Sequence, residues 1–193
     1  MEENTPRAWK PYVVEDRTIW TVGHSNLTLE EFIDLLTVNK IEAIADVRRF
    51  PGSRKYPHFN RDALTNALSN VGIDYVHFSE LGGRRHPRPN STNTVWENES
   101  FRGYADYMET NEFHTGIERL LALAARKRTA ILCAEAVWWR CHRALISDYL
   151  KASGVQVQHI MNRTKTEPHP YTTAARLRDG KLSYSPDDPK LHD

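Results

Sequence analysis

The sequence predicts an α/β fold, a single-domain three-layer sandwich in which helices cover both faces of a mostly parallel sheet of about five strands. Three observations predict this architecture. Short apolar runs typical of buried strands alternate with segments of helical periodicity. Glycine or proline stands at the end of several of these runs. A length of 193 residues with 39% hydrophobic composition suits one well-packed domain and is short for two.

The predicted elements follow one another from residue 18 to residue 160. Apolar and β-branched runs predict strands at 18–22, 43–47, 73–78, 129–132 and 155–160. Apolar residues at helical spacing predict helices that begin at Thr28 and Asn60 and further helices at 101–108, 112–125 and 141–153. Thr28 has a capping-box partner in Glu31, and Asn60 is expected to cap the second helix. The domain is therefore expected to span residues 18–184.

Three segments have no apolar period. Residues 1–17 and 185–193 are polar and are expected to be loose tails. Residues 80–98, rich in glycine, proline, asparagine and arginine, are expected to form a long loop. Loops of that length in a compact domain are usually functional or mobile.

Composition excludes several classes of protein. The net charge is +1, so contacts to nucleic acid have to come from a local cluster and not from a globally basic surface. No apolar stretch approaches the length of a membrane span, and the N-terminus lacks the apolar core of a signal peptide. Two cysteines indicate reactive or metal-ligating thiols more than a disulfide framework. We expect a cytoplasmic protein without a membrane partner.

Polar residues follow four of the predicted strands. The carboxyl ends of parallel strands meet at one edge of a sheet, where α/β proteins bind ligands. The densest chemistry follows the fourth strand, where Cys133 and Glu135 precede two tryptophans, three basic side chains and Cys141. We expect Cys133, Glu135 and Asp46 to be catalytic. The substrate-binding candidates are His24, Ser25, Asn26, Arg48, Arg49, Ser53, Arg54, Glu80, Arg84, Arg102, Tyr104, Trp138, Arg140, His142 and Arg143.

Each catalytic candidate also has a structural interpretation. A cysteine between a strand and a helix N-terminus can ionise and attack, whereas a cysteine inside a core strand only packs. Glu135 would raise the pKa of a neighbouring thiol, and it could itself act as acid, base or nucleophile. Asp46 and Arg48 could form a buried structural ion pair.

No cofactor is expected. Cys133, Cys141 and His142 could ligate a metal, but a step of eight residues to an adjacent Cys-His pair is not a recognised zinc spacing, so we rank metal binding lowest. Cys141 is expected to turn toward the core, and both cysteines are expected to be free thiols.

Six separated motifs resemble the bacterial domain-of-unknown-function family 488. They are Thr21-Val22-Gly23-His24-Ser25-Asn26, Asp46-Val47-Arg48 with Pro51-Gly52-Ser53-Arg54, Glu80-Leu81-Gly82-Gly83, the run from Asn98 to Ala105, Cys133-Ala134-Glu135 with Cys141-His142-Arg143, and His169-Pro170-Tyr171-Thr172. The resemblance implies a fold and no settled activity. A weaker likeness, to rhodanese-type sulfurtransferases, rests on Asp46-Val47-Arg48 and on the loop after Cys133.

These residues favour an enzyme that acts on a phosphate-bearing ligand, a nucleotide or a nucleic acid, as a hydrolase, a glycosylase-like enzyme or a transferase. Arginines would grip phosphate, and Cys133 or Glu135 would perform the chemistry. Two alternatives stay open at this point: rhodanese-like sulfur transfer at Cys133, and a binding module for nucleotides or nucleic acids that performs no chemistry.

Overall fold

A six-stranded sheet forms the centre of the computed structural model, which describes residues 17–192. Its strands are β1 (Thr18–Gly23), β2 (Ala43–Asp46), β3 (Asp74–His77), β4 (Thr129–Cys133), β5 (Gln156–Ile160) and β6 (Thr166–Pro168). Their order across the sheet is β3-β2-β4-β1-β5-β6. The first five strands run parallel, and β6 pairs antiparallel with β5. The predicted α/β fold with a mostly parallel sheet is confirmed.

Five α-helices cover the two faces of the sheet: α1 (Leu29–Val38), α2 (Arg61–Ser69), α3 (Glu99–Tyr107), α4 (Asn111–Ala124) and α5 (Arg143–Ala152). Two apolar cores result, one with side chains of α1 and α2 and the other with side chains of α3, α4 and α5. Within residues 17–192 none of the helices has both the length and the apolarity that crossing a bilayer requires.

Alternate residues of β4 enter the two cores. Ala130 and Leu132 pack on the side of α1 and α2, whereas Ile131 and Cys133 pack on the side of α3, α4 and α5. This alternation follows from the pleat of a strand, in which successive side chains point to opposite faces. Cys133 therefore ends the strand on the same side of the sheet as the helix that begins at Arg143.

The two predicted helix caps differ in outcome. Thr28 and Glu31 form the predicted capping box, because the Thr28 hydroxyl accepts from the Glu31 N–H and the Glu31 carboxylate accepts from the Thr28 N–H. Asn60 occupies the N-cap position of α2, but its side chain makes no bond to the helix. The Asn60 Oδ1 instead accepts from the Ser53 N–H at 2.5 Å and so fixes the loop between β2 and α2.

The structure adds short strands that the sequence analysis does not predict. They are β6 and an antiparallel hairpin of β7 (Arg176–Arg178) and β8 (Lys181–Ser183). Each has three residues, which is too short for a pattern of alternation to be visible.

The C-terminal segment is packed in its described part, residues 185–192, and is not the loose tail that we expected. The Leu177 N–H donates to the Pro189 carbonyl, the Leu191 N–H donates to the Ala175 carbonyl, and Ser185 is buried. Backbone hydrogen bonds hold this polar segment, and composition does not reveal them. The other predicted tail, residues 1–17, lies outside the described residues except for Arg17.

Candidate functional site

The carboxyl ends of three neighbouring strands, β2, β4 and β1, meet at the centre of the sheet edge. Gly23 is in register with Cys133, and Asp46 is in register with Leu132. Beyond the strand ends, the His24 N–H donates to the Cys133 carbonyl at 3.1 Å, and Val47 donates to Leu132 in the same way. The segments that begin at His24, Val47 and Ala134 therefore leave the sheet side by side.

A cavity of about 680 Å³ opens at this edge. Ten of the predicted site residues line it: His24, Ser25, Arg48, Arg49, Ser53, Arg84, Cys133, Glu135, Arg140 and His142. Its wall also contains Cys141, which the sequence indicated only as a possible metal ligand, and residues that the sequence did not indicate: Phe50, Gly52, Tyr56, Gly83, Ser100, Phe101 and Ala134. The structure thus brings together the segments that follow β1, β2 and β4, as predicted, and adds an aromatic component.

Asp46 lies beneath the cavity and is not part of its wall. Its buried carboxylate accepts hydrogen bonds from Arg48 Nη2 at 2.5 Å and from the Tyr75 hydroxyl at 2.6 Å. Burial alone would lower the pKa of Arg48, but the hydrogen bonds and charge of Asp46 hold it above its ordinary value. Asp46 therefore positions Arg48, and a catalytic role of Asp46 stays a prediction.

Three further candidates have structural partners away from the cavity wall. The Glu80 carboxylate forms an ion pair with Arg119 of α4. Arg102 lies 3.7 Å from the Glu99 carboxylate, one turn back on α3. Tyr104 is fully buried, and its hydroxyl donates to the Leu81 carbonyl at 2.8 Å. Neither the position of Glu80 after a strand nor that of Arg102 and Tyr104 in a helix revealed the direction of the side chain.

The last four candidates outside the wall are Asn26, Arg54, Trp138 and Arg143. Asn26 and Arg54 are exposed. Trp138 is buried and stacks on the His159 ring, with ring centroids 4.4 Å apart. Trp138 therefore packs in the core, and the exposed indole is that of its neighbour Trp139.

His159 belongs to a buried chain of polar side chains behind the cavity. Its Nδ1 lies 2.7 Å from the Thr21 hydroxyl, and its Nε2 lies 2.9 Å from Nδ1 of His169. His169 Nε2 in turn lies 3.0 Å from Asp148 Oδ1. Burial, reinforced by the neighbouring His169 and Arg143, lowers the pKa of His159 to about 2. His159 is therefore neutral at neutral pH.

The two cysteines form a pair at the floor of the cavity. Both are free and buried, with exposed fractions of 7% for Cys133 and 6% for Cys141. The pKa of Cys133 is lowered to about 6, chiefly by a hydrogen bond from the Cys141 thiol. The charge of Arg143 and the backbone N–H groups of Glu135 and Ala134 act in the same direction, whereas burial opposes them. Burial and the same hydrogen bond raise the pKa of Cys141. Cys141 thus packs in the apolar core of α3, α4 and α5, as expected, and also reaches the cavity and Cys133.

Arg143 holds the loop between the two cysteines. It is almost completely buried, and its Nε donates to the Cys141 sulfur at 3.1 Å. Its Nη2 donates to the Glu135 carbonyl at 2.5 Å and to the Ala136 carbonyl at 3.3 Å. Arg143 therefore orients the loop and contributes positive charge near both sulfurs, but it does not reach the cavity as a substrate-binding residue.

The loop is also held from the side of β1. A Cβ atom at Gly23 would lie 1.9 Å from the Glu135 carbonyl oxygen, so the close approach requires glycine. Ser25 adopts a left-handed φ of 45°, and its N–H donates to the Ala134 carbonyl at 2.8 Å. A left-handed conformation is costly for a residue other than glycine and persists where the surroundings enforce it.

Two histidines of the wall are held neutral. Burial, with the charge of Arg48 second, lowers the pKa of His24 to about 4, and its ring stacks on Phe59 at 4.1 Å. Burial also lowers the pKa of His142. Because a carbonyl can only accept, the 3.1 Å contact between His142 Nε2 and the Val47 oxygen places the proton on Nε2. The His142 Nδ1 therefore carries a lone pair.

The rim of the cavity is cationic and aromatic. Arg49, Arg84 and Arg140 are exposed on it, opposed by the exposed Glu135. The Arg49 guanidinium donates to the Arg84 carbonyl at 3.0 Å and lies 5.7 Å from the centre of the Phe50 ring. Phe50 is 67% exposed, which is unusual for a large apolar side chain. Phe50 directly follows Arg48 and Arg49 just after β2, and an aromatic residue in that position is the sequence pattern that could have identified it.

Residues 28–150 match the family described as domain of unknown function DUF488. The chain belongs to this family. The resemblance is thereby confirmed, and the matched region includes Cys133, Glu135, Cys141 and His142 of this DUF488 protein. No curated protein and no solved structure gives a match, so the weaker likeness to rhodanese-type enzymes stays a prediction.

Proposed function

We propose that this DUF488 protein is an enzyme that uses Cys133 as a nucleophile on a phosphate-bearing substrate, a nucleotide or a nucleic acid. One observation carries the proposal: a thiol whose pKa is lowered to about 6 lies at the floor of a cavity with a rim of arginines. A thiolate is the nucleophilic form of cysteine, and at neutral pH this one is largely ionised.

The charges around the cavity favour an anionic substrate. Asp46 already balances the charge of Arg48, whereas the exposed guanidiniums of Arg49, Arg84 and Arg140 have no carboxylate partner within residues 17–192 and can pair with phosphate. Guanidinium groups bind phosphate through two parallel hydrogen bonds. The rim has three exposed guanidiniums and one carboxylate, that of Glu135, so its net charge is positive.

The aromatic side chains of the wall favour a nucleotide over a simple inorganic anion. Phe50, Tyr56 and Phe101 line the same cavity as the arginines. Every nucleobase has a π-face that stacks on an aromatic ring, and such stacking contributes about 1–3 kcal/mol per base. The exposed ring of Phe50 next to Arg49 provides both kinds of contact within two adjacent residues.

The reaction class that suits these groups is nucleophilic substitution followed by hydrolysis. The Cys133 sulfur forms a bond to the electrophilic atom, and the bond from that atom to the leaving group breaks with its electron pair. Glu135 then takes a proton from a water molecule that attacks the covalent intermediate, and the thiolate leaves. Glu135 lines the cavity two residues from Cys133 and is exposed to water, as this role requires.

The proposal is tested with reduced, metal-free protein and a panel of nucleoside phosphates and short single- and double-stranded DNA and RNA. Products are followed by liquid chromatography, and covalent adducts by intact-protein mass spectrometry. We expect Cys133→Ser and Glu135→Gln to abolish turnover while binding is kept, and Glu135→Gln to accumulate the adduct. Unchanged processing in both variants contradicts the proposal, whereas a wild-type protein that binds the probes but processes none of them favours a module that performs no chemistry.

Salt dependence tests the arginine rim. If Arg84 contacts a phosphate of nucleic acid, Arg84→Ala lowers the slope of the logarithm of the binding constant against the logarithm of salt by about one. Arg126→Ala is the matched control. Arg126 is also exposed, but it lies between α4 and the amino end of β4, at the edge of the sheet opposite the cavity. Equal slopes in the two variants contradict a phosphate contact at Arg84.

Sulfur transfer is the second candidate, and the neighbouring thiol favours it. A persulfide on Cys133 would lie within reach of Cys141, which hydrogen bonds to the Cys133 sulfur. Attack of the Cys141 thiolate on the inner sulfur would release hydrogen sulfide and leave a disulfide. Incubation of Cys141→Ser with thiosulfate distinguishes this candidate. The Cys133 thiolate would take the sulfane sulfur and release sulfite, so Cys133 would gain the mass of one sulfur atom, which the nucleotide reaction does not predict.

A further inference from the structure

Three side chains with metal-binding donor atoms converge at the floor of the cavity. The sulfurs of Cys133 and Cys141 and a ring nitrogen of His142 all lie within 4.8 Å of one another. They come from the end of β4 and from the two residues before α5, on either side of the loop 134–140. We propose that Cys133, Cys141 and His142 bind Zn²⁺ as three protein ligands, with the fourth position open to the cavity.

The spacing of the donor atoms is close to that of a zinc site. Zinc–sulfur bonds of about 2.3 Å and zinc–nitrogen bonds of about 2.0 Å place tetrahedral ligand atoms about 3.5–3.8 Å apart. A contraction of the present cluster by about 1 Å reaches that geometry. The proposal requires side-chain torsions of the two cysteines and the histidine to supply this movement.

His142 is prepared as a ligand. Its Nε2–H donates to the Val47 carbonyl, so the lone pair is on Nδ1, and within residues 17–192 no hydrogen bond occupies Nδ1. Histidines that ligate metals almost always donate their other N–H to a carbonyl or carboxylate, which fixes the tautomer and the ring orientation. The close contact of Gly83 with the His142 ring leaves no room for a side chain there.

The donors and their surroundings select a thiophilic metal. Two thiolates and an imidazole suit Zn²⁺, whereas Mg²⁺ and Ca²⁺ prefer oxygen ligands. The sulfurs already accept hydrogen bonds, Cys141 from the Arg143 guanidinium and Cys133 from the backbone N–H groups of Glu135 and Ala134. Hydrogen bonds donated to the sulfurs in this way orient thiolate ligands. All three ligands line the cavity, so a water molecule or an anion can complete the coordination.

Metal binding goes beyond the function proposed above. While the metal is bound, nucleophilic attack by Cys133 is excluded. The Cys133 lone pair that coordinates Zn²⁺ is not free to attack a substrate, so the covalent chemistry belongs to the metal-free form. The chain spacing did not predict this site, because the course of the loop 134–140 and not the number of its residues brings Cys141 back to Cys133.

Cobalt titration of the reduced, metal-free full chain tests the inference. We expect one equivalent of Co²⁺ to bind, with thiolate-to-cobalt charge-transfer absorption and the intense visible bands of tetrahedral cobalt, and one equivalent of Zn²⁺ to abolish both. Each thiol that is protonated beforehand releases its proton on binding. Cobalt spectra without the thiolate band, or no binding at all, overturn the proposal.

Variants assign the ligands. We expect Cys141→Ser and His142→Ala each to weaken cobalt binding by at least about 100-fold, since even loss of a residue behind the ligands weakens metal sites by about 10–100-fold. His114→Ala is the matched control with unchanged affinity, because His114 is a partly exposed histidine that hydrogen bonds Tyr149 at 3.0 Å. Circular dichroism checks that each variant is folded, and wild-type affinity in folded His142→Ala overturns its role.

The two proposals fail separately. Metal-free protein that processes a substrate through Cys133 but binds no cobalt leaves the proposed function standing and overturns the metal site. Protein that binds cobalt through both thiolates but is inactive on every substrate probe in its metal-free form leaves the metal site standing and overturns the proposed function.

Discussion

The Cys141 thiol donates a hydrogen bond to the sulfur of Cys133, although the two residues lie at opposite ends of a seven-residue loop. The loop returns because Arg143 holds its Glu135 and Ala136 carbonyls, while β1 packs against it without a side chain at Gly23. The ionisation of one cysteine therefore depends on the presence of the other.

Removal of the Cys141 thiol is expected to raise the pKa of Cys133. In the wild type we expect an apparent value of about 6, measured as the rate of alkylation of Cys133 against pH by mass spectrometry. Cys141→Ala removes the hydrogen-bond donor and moves the value toward that of a free thiol, about 8.5. Cys141→Ser keeps an O–H donor and is expected to shift the pKa less. Identical profiles in all three proteins would show that Cys141 does not tune Cys133.

Gly23→Ala is expected to displace the loop that follows Cys133. The added Cβ would overlap the Glu135 carbonyl oxygen, and because that atom is backbone, relief requires the loop to move. Overpacking of this kind costs about 1–3 kcal/mol of unfolding free energy. Gly52→Ala is the control, since its Cβ would meet its nearest neighbour at 4.0 Å. Denaturant unfolding of both variants measures the difference, and equal stabilities would contradict a tight fit at Gly23.

Asp46→Asn is expected to destabilise the fold strongly. The change leaves the Arg48 guanidinium, which is 7% exposed, without its buried counter-charge. Loss of one partner of a buried ion pair costs about 3–5 kcal/mol. The exposed pair of Arg163 and Asp34 provides the comparison, where Asp34→Asn is expected to cost less than about 1 kcal/mol. Similar losses of unfolding free energy for the two variants would refute a structural role for Asp46.

Stability is expected to fall as the pH drops below about 6.5. His159 is held neutral in the folded protein, with a pKa of about 2, whereas in the unfolded chain it binds a proton near pH 6.5. The contribution of neutral His159 to the free energy of unfolding is therefore fully present above pH 6.5. Below pH 6.5 this free energy decreases by about 1.4 kcal/mol per pH unit, or by about 2 kcal/mol in all at pH 5. His24, with a pKa of about 4, acts with the same sign over this range.

Urea unfolding at pH 7 and pH 5 measures this loss. His159→Gln removes one titrating group, so the variant is expected to lose about 2 kcal/mol less than the wild type between the two pH values. A variant that loses as much unfolding free energy as the wild type would show that His159 is not the group that titrates.

The sequence by itself determined the fold class and the edge of the sheet at which the cavity lies. Apolar runs that alternate with helical periods leave few arrangements other than a parallel sheet between two layers of helices, and parallel strands deliver their carboxyl ends to one edge. The sequence therefore places Cys133 and His24 together, because each lies within two residues of the end of a predicted strand.

Only the tertiary structure decided which side chains enter the cavity. The strand order puts β4 between β1 and β2, so Cys133 is central, whereas Glu80 after the edge strand β3 pairs with Arg119 of α4. The return of the loop that sets Cys141 against Cys133 depends on a buried arginine and on a carbonyl that approaches Gly23 closely. Sequence periodicity reports which face of an element is buried, but the course of a loop is determined by contacts between residues far apart in the chain.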